Sequence, residues 1–424
     1  MSWPILLYRL LLPAYVLAAF PGWLWKMGRR GGFGTGLSER LGLYRGDAEF
    51  EHAGAVHVHA VSVGETLLAL KLIRAWRERD PERQIVLAVA TATGHAVGVE
   101  GAPEGVRVVY QPIDFRICVD RYLSRFEPAA VMLVEGEMWP NLMLRCEASG
   151  IPVSLVNARM SPRSRRRFRK FASLVRPVFS RLDRVALQEE ADAALWEVLG
   201  VPSEKVRCTG SLKFDSTGAA LPQQRPEFAE MIRVCSGGRE VVLAASTHAG
   251  EEELVAAAVR EAGAFPLIVP RHAERRWEVT QALEKAGFKV VLRSAFAPPE
   301  VNEDVVLVVD STGELRDWTA HADAVVIGKS FLGVGGQSPA EAVLAGVPVV
   351  FGPHMENFEP LATQMSDSGG VIRVPETGDL SEGIRRALVG NVAPDKARGC
   401  LQAHQGAAAR TLDWVEEGLP DCCR

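Results

Sequence analysis

The chain has 424 residues, which exceeds the usual size of a single hydrophobic core, so two domains are expected. Its formal net charge of -4 excludes a globally basic nucleic-acid-binding protein, and no nucleic-acid partner is expected. Seven cysteines without a Cys-x-x-Cys pair argue against a disulfide framework or a zinc site and favour a reducing compartment.

The first predicted element is an apolar segment from Ile5 to Trp25 in which Arg9 is the only charge, and three cations follow it directly. An apolar segment with a cationic border is typical of membrane contact. Its length matches the roughly 20 residues that span a bilayer, but Pro13 and Pro21 should interrupt a helix, so a shallow anchor and a full span both stay open. A cleavable signal peptide and a buried helix are the weaker alternatives. We predict a membrane anchor over residues 1–30.

Short aliphatic runs then alternate with helical patterns, which predicts an α/β fold with two Rossmann-like domains. The first series of strands is Val56–Val61, Ile85–Ala90, Val106–Tyr110, Ala130–Val134 and Val153–Val156. The second series is Val241–Ala245, Pro266–Val269, Val305–Val309, Ala324–Ile327 and Val347–Phe351. Helices between the strands imply parallel sheets that are covered on both faces. A proline-containing linker at residues 216–228 sets the predicted domains at 31–220 and 221–424.

Glu65 follows the first predicted strand through Ser62-Val63-Gly64, at a place where parallel sheets deliver ligand-binding loops. A carboxylate there is suited to accept a proton from an attacking hydroxyl. The alternative is an acidic residue that stabilises the first turn of the next helix through the helix dipole.

Glu135 and Glu137 follow the strand Ala130–Val134 in the same way. Side chains two residues apart on an extended segment share a face, so the two carboxylates are expected to point the same way. They are suited to bind sugar hydroxyls or to steady a developing positive charge. An acidic loop neutralised by a nearby arginine is the alternative.

Residues 159–170 contain seven cations and no acid, with Phe168 and Phe171 at the end. Near an anionic membrane each such cation contributes about 1 kcal/mol, so this segment predicts contact with lipid headgroups. A solvated helix face or an RNA contact is the alternative, and the overall acidity of the chain disfavours RNA.

In the second half, a loop rich in glycine and hydroxyl groups, Gly335–Ser338, follows the strand Ala324–Ile327. If Ser338 opens the next helix, free backbone N–H groups face a phosphate, and Glu341 is placed to accept from sugar hydroxyls. A packing turn is the alternative. Other polar loops, at Ser246–His248, Pro270–His272 and Thr312–Glu314, follow further strands and should reach the same edge of the sheet.

Arg271 in these loops is suited to bind a phosphate. His248 and His272 are not spaced like zinc ligands, and no metal site is predicted.

A series of motifs in fixed order carries a resemblance to a known family. They are Glu39–Gly42, His59–Glu65, Glu135–Leu142, Asn157–Ser161, Gly210–Asp215, Pro270–His272, Gly313–Leu315 and Phe351–His354. Together they resemble the Kdo transferases, which add 3-deoxy-D-manno-octulosonic acid (Kdo) to a lipid A precursor in lipopolysaccharide biosynthesis. The resemblance covers nearly the whole chain.

The resemblance implies a GT-B fold, with two Rossmann-like domains facing a cleft, and an inverting glycosyl transfer from CMP-Kdo to a lipid A precursor. It also implies a membrane-associated enzyme on the cytoplasmic face of the inner membrane that needs no metal or other cofactor. Beyond CMP-Kdo, the lipid acceptor and membrane lipids, no protein partner follows from it.

The family's functional residues match positions in this sequence. Glu65 would be the general base, Glu135 and Lys213 would stabilise the transition state, and Glu137 is a further candidate. CMP would contact Pro270, Arg271, Thr312, Gly313, Glu314, Ser338, Pro339, Ala340 and Glu341.

The chain departs from the family pattern in the donor loop. Gln337-Ser338 stands where the family has His-Asn, and Lys329 stands where a small residue is common. Two other functions remain possible on this reasoning. One is a GT-B enzyme that uses another nucleotide-sugar, and the other is a non-catalytic, membrane-associated nucleotide-sugar sensor. The presence of Glu65 and Lys213 argues against the sensor.

Overall fold

The computed structural model of the chain describes residues 2–30, 35–44, 53–136, 138–160, 162–215, 222–299 and 304–419. Of the predicted site residues, Glu137 lies outside these ranges. The chain divides into two compact units: unit 1 combines Met1–Thr217 with His404–Arg424, and unit 2 is Gly218–Ala403.

The described part of unit 1 contains a parallel sheet of seven strands in the order β3-β2-β1-β4-β5-β6-β7. The strands are β1 (Val56–Ala60), β2 (Ile85–Val89), β3 (Arg107–Tyr110), β4 (Ala130–Val134), β5 (Val153–Ala158), β6 (Arg184–Leu187) and β7 (Val206–Cys208). The helices up to β7 are α1 (Trp3–Arg30), α2 (Thr35–Arg40), α3 (Val63–Arg79), α4 (Ala92–Gly101), α5 (Arg116–Phe126), α6 (Pro140–Ala148), α7 (Pro162–Lys170), α8 (Ala172–Phe179) and α9 (Ala193–Val198).

Unit 2 repeats this architecture in its described residues, with a parallel sheet of seven strands in the order β10-β11-β9-β8-β12-β13-β14. The strands are β8 (Val241–Thr247), β9 (Phe265–Pro270), β10 (Lys289–Leu292), β11 (Val305–Val308), β12 (Ala324–Ile327), β13 (Val349–Phe351) and β14 (Ile372–Arg373). The helices are α10 (Pro226–Ser236), α11 (Glu251–Glu261), α12 (Arg276–Lys285), α13 (Leu315–Thr319), α14 (Ala340–Ala345), α15 (Leu361–Asp367), α16 (Leu380–Leu388) and α17 (Pro394–Gln402). The last helix of the chain, α18 (Ala407–Glu416), belongs to unit 1.

The aliphatic strands are buried on both faces, as expected for a parallel sheet between helices. In β4 the side chains alternate between two cores. Val131 and Leu133 join one hydrophobic cluster, whereas Met132 and Val134 join the cluster on the other face. This period of two fixes which residues at the strand end point to which face.

The structure corrects the predicted domain boundary at the C-terminus. Residues 404–419 were assigned to the second domain, but α18 packs on unit 1, where Leu412 and Val415 join the hydrophobic cluster that contains Trp76. The indole Nε1 of Trp76 also donates to Glu416 Oε1 at 2.5 Å. The apolar residues of α18 do not indicate which unit the helix packs on. Its position in the chain, next to unit 2, therefore led to the wrong assignment.

The structure also differs from the sequence prediction within some elements. Strands β6, β7, β10 and β14 were not predicted, and α10 begins at Pro226, inside the predicted linker. Proline is well tolerated at the first position of a helix, where no intrahelical N–H bond is needed. Both sheets therefore extend further at their edges than the sequence indicated.

Helix α1 is a single helix of 28 residues and is not interrupted at Pro13 or Pro21, contrary to the expectation. Each proline removes one intrahelical hydrogen bond, and the turns on either side keep theirs. Among the described residues one helix is long and apolar enough to cross a membrane. The apolar part runs over Trp3–Gly22 with a mean hydropathy of 1.6.

Candidate active site

In unit 1 the strand order reverses direction between β1 and β4, which lie side by side. The loops that leave the carboxyl ends of these two strands run to opposite sides of the sheet, which leaves a crevice where open α/β sheets bind ligands. Glu65 follows β1 and Glu135 follows β4. The predicted base and the predicted stabilising carboxylate thus lie at the switch point of the same sheet.

Glu65 sits in the first turn of α3, which begins at Val63. Its Oε2 accepts the backbone N–H of Val61 at 2.8 Å, and its Oε1 accepts the Ser62 hydroxyl at 3.0 Å. Ser62 is also the N-cap of α3, because its Oγ accepts the Glu65 N–H at 3.3 Å. This is a variant of the capping box in which Glu65 accepts the N–H of Val61 in place of that of the N-cap Ser62, so Glu65 closes the helix end and also lies at the switch point. The carboxylate keeps further acceptor capacity, since each oxygen has two lone pairs.

Glu135 adopts a left-handed backbone conformation, with φ of 67°, and its N–H donates to Val156 O at 2.9 Å. Non-glycine residues with positive φ are uncommon and often lie at functional sites. Burial raises the pKa of Glu135; Arg159 opposes the rise, Glu65 adds to it and Lys213 opposes it. Glu65, Arg159 and Lys213 are thus close enough to Glu135 to affect its charge, and we call the four residues the charge cluster.

Lys213 lies on a turn that other parts of unit 1 hold in place. The backbone N–H of Leu212 donates to Asn157 Oδ1 at 2.9 Å, and Lys71 Nζ donates to Leu212 O at 2.8 Å. Asp215 accepts the N–H groups of Gly406 at 3.0 Å and Ala408 at 2.7 Å. The first turn of α18 and the residue before it therefore hold the turn that carries Lys213 in place.

The Lys213 side chain is exposed at the surface, yet the surrounding protein lowers its pKa to about 8. Partial burial of the ammonium is the main cause, Arg159 adds to it by like-charge repulsion, and Glu135 opposes both. A lysine with its pKa near neutral can change its charge state within the working range of an enzyme.

Arg159 is the member of the charge cluster that sequence reasoning assigned elsewhere. It was grouped with the cations of residues 159–170, whereas the structure couples it to Glu135 and Lys213 at the end of β5. A Cβ atom built on Gly136 would lie 3.6 Å from Arg159 O, which places the Glu135 turn against it. Its position one residue after a buried strand was the signal for this role.

The remaining cations of that segment lie mainly on α7. Arg165 pairs with the buried Asp192, whereas the others are exposed. The exposed cations of α7 are Arg163, Arg166, Arg167, Arg169 and Lys170. We call these five residues the α7 cation patch.

In unit 2 the predicted donor-site loops also converge. Strands β11, β9, β8 and β12 are neighbours in the parallel sheet, so the loops that follow them emerge at the same edge. His248 after β8 and His272 after β9 have ring centroids 6.4 Å apart. Burial lowers the pKa of His248, and Lys329, in the loop after β12, is among the smaller contributors.

The nine predicted CMP contacts differ in their environments. Arg271, Thr312, Gly313, Ser338 and Glu341 are exposed, whereas Pro270, Pro339 and Ala340 are buried. Glu314 is engaged within the protein, because the Arg293 guanidinium contacts both of its oxygens at 2.8 Å and Ser311 donates a short hydrogen bond to it. Partial burial of its carboxyl group raises the pKa of Glu341, and Arg316 opposes this rise.

Ser338 lies just before α14, as predicted, and its Oγ accepts the N–H of Ala340 at 3.3 Å. The helix has only six residues, so its dipole is small. Ligand binding here is therefore expected to depend mainly on the loop that precedes it.

Glu251 holds the loops after β8 and β12 together, and sequence reasoning did not single it out. It is fully buried, and its Oε2 accepts the N–H groups of His248 at 3.1 Å and Lys329 at 2.5 Å. Its Oε1 accepts the N–H of Phe331 at 3.2 Å. Lys329 has a positive φ of 57°, so this carboxylate stabilises an unusual backbone conformation.

Within the ranges that the structure describes, no group of three or more histidine, cysteine or acidic residues is arranged to hold a metal ion.

Solved structures share the architecture of this chain. A putative UDP-N-acetylglucosamine 2-epimerase from Listeria monocytogenes aligns with a TM-score of 0.56 at 12% identity, covering 86% of this chain and 96% of that one. The glycotransferase of kitacinnamycin aligns with a TM-score of 0.53 at 14% identity, covering 87% of this chain and 100% of that one. At such identities the likeness shows the fold alone. Two Rossmann-like units with parallel seven-stranded sheets define the GT-B class.

Sequence relatives identify the family. The family profile of 3-deoxy-D-manno-octulosonic-acid transferase (kdotransferase) matches residues 35–216. The 3-deoxy-D-manno-octulosonic acid transferase of Bordetella pertussis is 35% identical over 94% of this chain and 95% of its own length. The transferase of the same name from Haemophilus influenzae is 31% identical over 90% of this chain and 91% of its own. The chain therefore belongs to the Kdo transferase family. It is a glycosyltransferase that transfers Kdo in lipopolysaccharide biosynthesis.

Proposed function

We propose that this enzyme transfers Kdo from CMP-Kdo to a lipid A precursor with inversion at the anomeric carbon, and that Glu65 is the general base. The observation that carries the proposal is the placement of Glu65 and Glu135 after the adjacent strands β1 and β4, with Arg159 and Lys213 close enough to affect the charge of Glu135. These are the residue types that a direct displacement on a carboxylated sugar needs.

In this mechanism Glu65 accepts the proton of the acceptor hydroxyl as its oxygen bonds to the anomeric carbon of Kdo. The bond from that carbon to the CMP phosphate oxygen breaks, and CMP leaves with the electron pair. A single displacement of this kind inverts the anomeric configuration. The capping box supports the role of Glu65, because Val61 and Ser62 fix the direction of its carboxylate.

Lys213 and Glu135 would act on opposite charges of the same sugar. The Lys213 ammonium is suited to pair with the Kdo carboxylate, while the Glu135 carboxylate offsets oxocarbenium-like charge at the anomeric carbon. Arg159 is a second cation for either the sugar carboxylate or the departing phosphate. Preorganised charges of this kind stabilise a transition state without reorganisation at the moment of reaction.

We assign the CMP moiety to unit 2, on the loops at Pro270-Arg271, Thr312–Glu314 and Ser338–Glu341. The exposed Arg271 guanidinium is suited to the phosphate, and the exposed Glu341 carboxylate is suited to accept from ribose hydroxyls. Glu314 would act indirectly, by holding the loop Thr312–Glu314 in place through its contact with Arg293. No metal or other cofactor is assigned a role.

We further propose that α1 and the α7 cation patch hold the enzyme at the cytoplasmic face of the inner membrane. Large apolar side chains of α1 are exposed, among them Leu10, Tyr15 and Leu17, each more than 70% exposed. Each cation of α7 would add about 1 kcal/mol of attraction near anionic headgroups. Lipid contact at both elements would bring the enzyme to a membrane-bound acceptor.

The decisive experiment replaces Glu65 by Gln in purified protein in detergent. With CMP-Kdo and a tetraacylated lipid A precursor, in the presence of chelator, the mass of the lipid product reports transfer. We expect E65Q to lose at least 100-fold in kcat, the order that a general base contributes, while CMP binding stays within about threefold of the wild type. Unchanged turnover of E65Q would refute the assigned role.

Because Glu65 also caps α3, a second variant separates catalysis from folding. Ser62→Ala removes the N-cap oxygen and is expected to lower stability by about 1 kcal/mol, yet it retains the carboxylate. Turnover of S62A should fall far less than turnover of E65Q. Equal losses in the two variants would mean that Glu65 acts only through the helix end.

A further inference from the structure

An apolar cavity of about 470 Å³ lies in unit 1 between α1, α7 and α8 and is not used by the mechanism above. The side chains of Ile5, Met138, Phe168, Leu174 and Val175 form much of its wall. Phe168 is fixed there by an edge-to-face contact with Phe179, whose ring centroid is 5.4 Å away. A cavity whose walls are mainly apolar favours an apolar occupant.

The cavity extends to a residue beside one member of the charge cluster. Gly136 lines it, and Gly136 is the residue directly after Glu135. A Cβ atom built on Gly136 would lie 3.6 Å from Arg159 O. An occupant that fills the cavity up to Gly136 therefore ends one residue away from a carboxylate of the proposed catalytic machinery.

The other walls connect the cavity to the surfaces that suit a membrane. Helix α1 contributes Ile5, which is 2% exposed, and the neighbouring side chains Leu6 and Leu7 are exposed on the same helix. Arg167 of the α7 cation patch also lines the cavity. An apolar chamber with a cation at its wall matches a molecule that has a long hydrocarbon chain and an anionic head.

We infer that this cavity binds one acyl chain of the lipid acceptor, with the acceptor's phosphate near Arg167 and its sugar toward Glu135. The inference rests on the proposed function, since it specifies which part of the acceptor is held by unit 1. An acyl chain bound in the cavity beside Gly136 would orient the acceptor before transfer. Each methylene that leaves such a pocket weakens binding about fourfold.

Filling the cavity tests the inference. Val175→Trp and Leu174→Trp each place a large ring in the chamber, whereas Ser173→Trp adds the same ring at an exposed position of α8 and is the matched control. Each variant is assayed with a tetraacylated lipid A precursor and with its fully deacylated counterpart. We expect V175W and L174W to raise KM for the tetraacylated acceptor at least tenfold, with little change for the deacylated one, and S173W to change neither.

Equal losses on both acceptors, or no loss on either, would overturn the inference. A wild-type enzyme that transfers Kdo to neither acceptor would instead contradict the proposed function. A binding measurement keeps the two apart. A tetraacylated precursor with a photoreactive diazirine at one acyl terminus should crosslink to residues of α8 in the wild type, and peptide mass spectrometry locates the adduct. Crosslinks confined to the exposed face of α1 would refute the acyl-chain site.

Discussion

Asn157 fastens the turn that carries Lys213 to the end of β5, because its Oδ1 accepts the backbone N–H of Leu212 at 2.9 Å. Asn157 is fully buried and has a left-handed backbone, with φ of 54°. Its own carbonyl oxygen accepts Gln188 Nε2 at 2.8 Å. One residue thus sets the distance between two members of the charge cluster, since Arg159 lies two positions further along.

We predict that Asn157→Gly lowers kcat by on the order of 10²-fold, because a misplacement of about 1 Å in a catalytic group has that effect. Glycine accepts the left-handed backbone without strain, so the loss would report the missing Oδ1 contact. Asn157→Asp is the control, since it retains an acceptor oxygen. The Nδ2 that it removes has no hydrogen-bond partner among the described residues. If N157G and N157D show equal kcat, the contact to Leu212 does not position Lys213.

The lowered pKa of Lys213 predicts an alkaline limit to activity. Its folded value of about 8 lies below the ordinary lysine value of 10.5, so the ammonium is lost at a lower pH than in a free lysine. If the ammonium pairs with the sugar carboxylate, kcat/KM is constant below pH 8 and falls tenfold per pH unit above it. The measurement is kcat/KM for CMP-Kdo between pH 6 and 10. Lys213→Arg should abolish the fall, because arginine stays protonated throughout this range.

A second variant assigns that limit to the charge cluster. Arg159 lowers the pKa of Lys213 by like-charge repulsion, so Arg159→Gln should shift the alkaline limb to higher pH even if it reduces the maximal rate. The same substitution removes an opposing charge from Glu135, whose pKa should rise further. An alkaline limb that stays at the same pH in R159Q would mean that another group titrates there.

Much of the fold could be predicted because parallel strands in the middle of a sheet have continuous aliphatic sequences. Every predicted strand corresponds to an observed one, for example Ala130–Val134, which is β4 with the same bounds. The missed strands lie toward the sheet edges or are short: β7 covers only Val206–Cys208, and β14 only Ile372–Arg373. Edge strands are partly exposed and carry polar residues, so they lack the buried pattern.

The site was only partly predictable for a different reason. Glu65 and Glu135 were found because each follows a buried strand directly, and position after a strand is visible in sequence. Arg159 also follows a strand directly, but it was grouped with the cations that come after it, and its position at the strand end was not considered. Glu251 begins a helix with two further glutamates beside it, and the backbone N–H groups that its carboxylate accepts from two other loops distinguish it. Contacts between distant segments of this kind have no local pattern.

Glu251 leads to a third prediction, which concerns the loops assigned to CMP. Glu251→Ala leaves the buried N–H groups of His248, Lys329 and Phe331 without their acceptor, and each such loss costs about 1–3 kcal/mol. We expect the loops after β8 and β12 to open, and CMP binding measured by calorimetry to weaken at least tenfold. Hydrogen exchange of the Lys329–Leu332 amides should speed up in the same variant.

The control for this prediction lies on the same helix. Glu253 of α11 has a buried Oε2 without a hydrogen-bond partner among the described residues, so Glu253→Ala removes a carboxylate without releasing those loops. CMP affinity of E253A should match the wild type. If E251A also bound CMP with wild-type affinity, CMP binding would not depend on the contacts of Glu251 with the loops after β8 and β12.

The packing of α1 bears on whether it spans the bilayer. Its first residues are fixed to unit 1: Ile5 is buried, Tyr8 donates from its hydroxyl to Asp114 Oδ2 at 2.8 Å, and Arg9 Nε donates to Asn141 Oδ1 at 2.7 Å. The helix then continues to Arg30, after which the chain returns to α2 of the same unit. If α1 inserts into a bilayer, both of its ends therefore lie on the same side. The stretch from Leu10 to Trp25 is roughly 24 Å long, shorter than the ~30 Å hydrocarbon core.

We accordingly predict that α1 lies within one leaflet and does not cross the membrane. Trp3 is 62% exposed at the start of the helix, and Trp3→Cys marks that end. In cells with a permeabilised outer membrane and an intact inner membrane, an impermeant maleimide should leave Cys at position 3 unmodified, and lysis should expose it. Glu78→Cys, at an exposed position of α3 in unit 1, should behave identically. Modification at position 3 alone before lysis, located by peptide mass spectrometry, would instead require a spanning helix, and the contacts of Tyr8 and Arg9 would then have to break in the membrane.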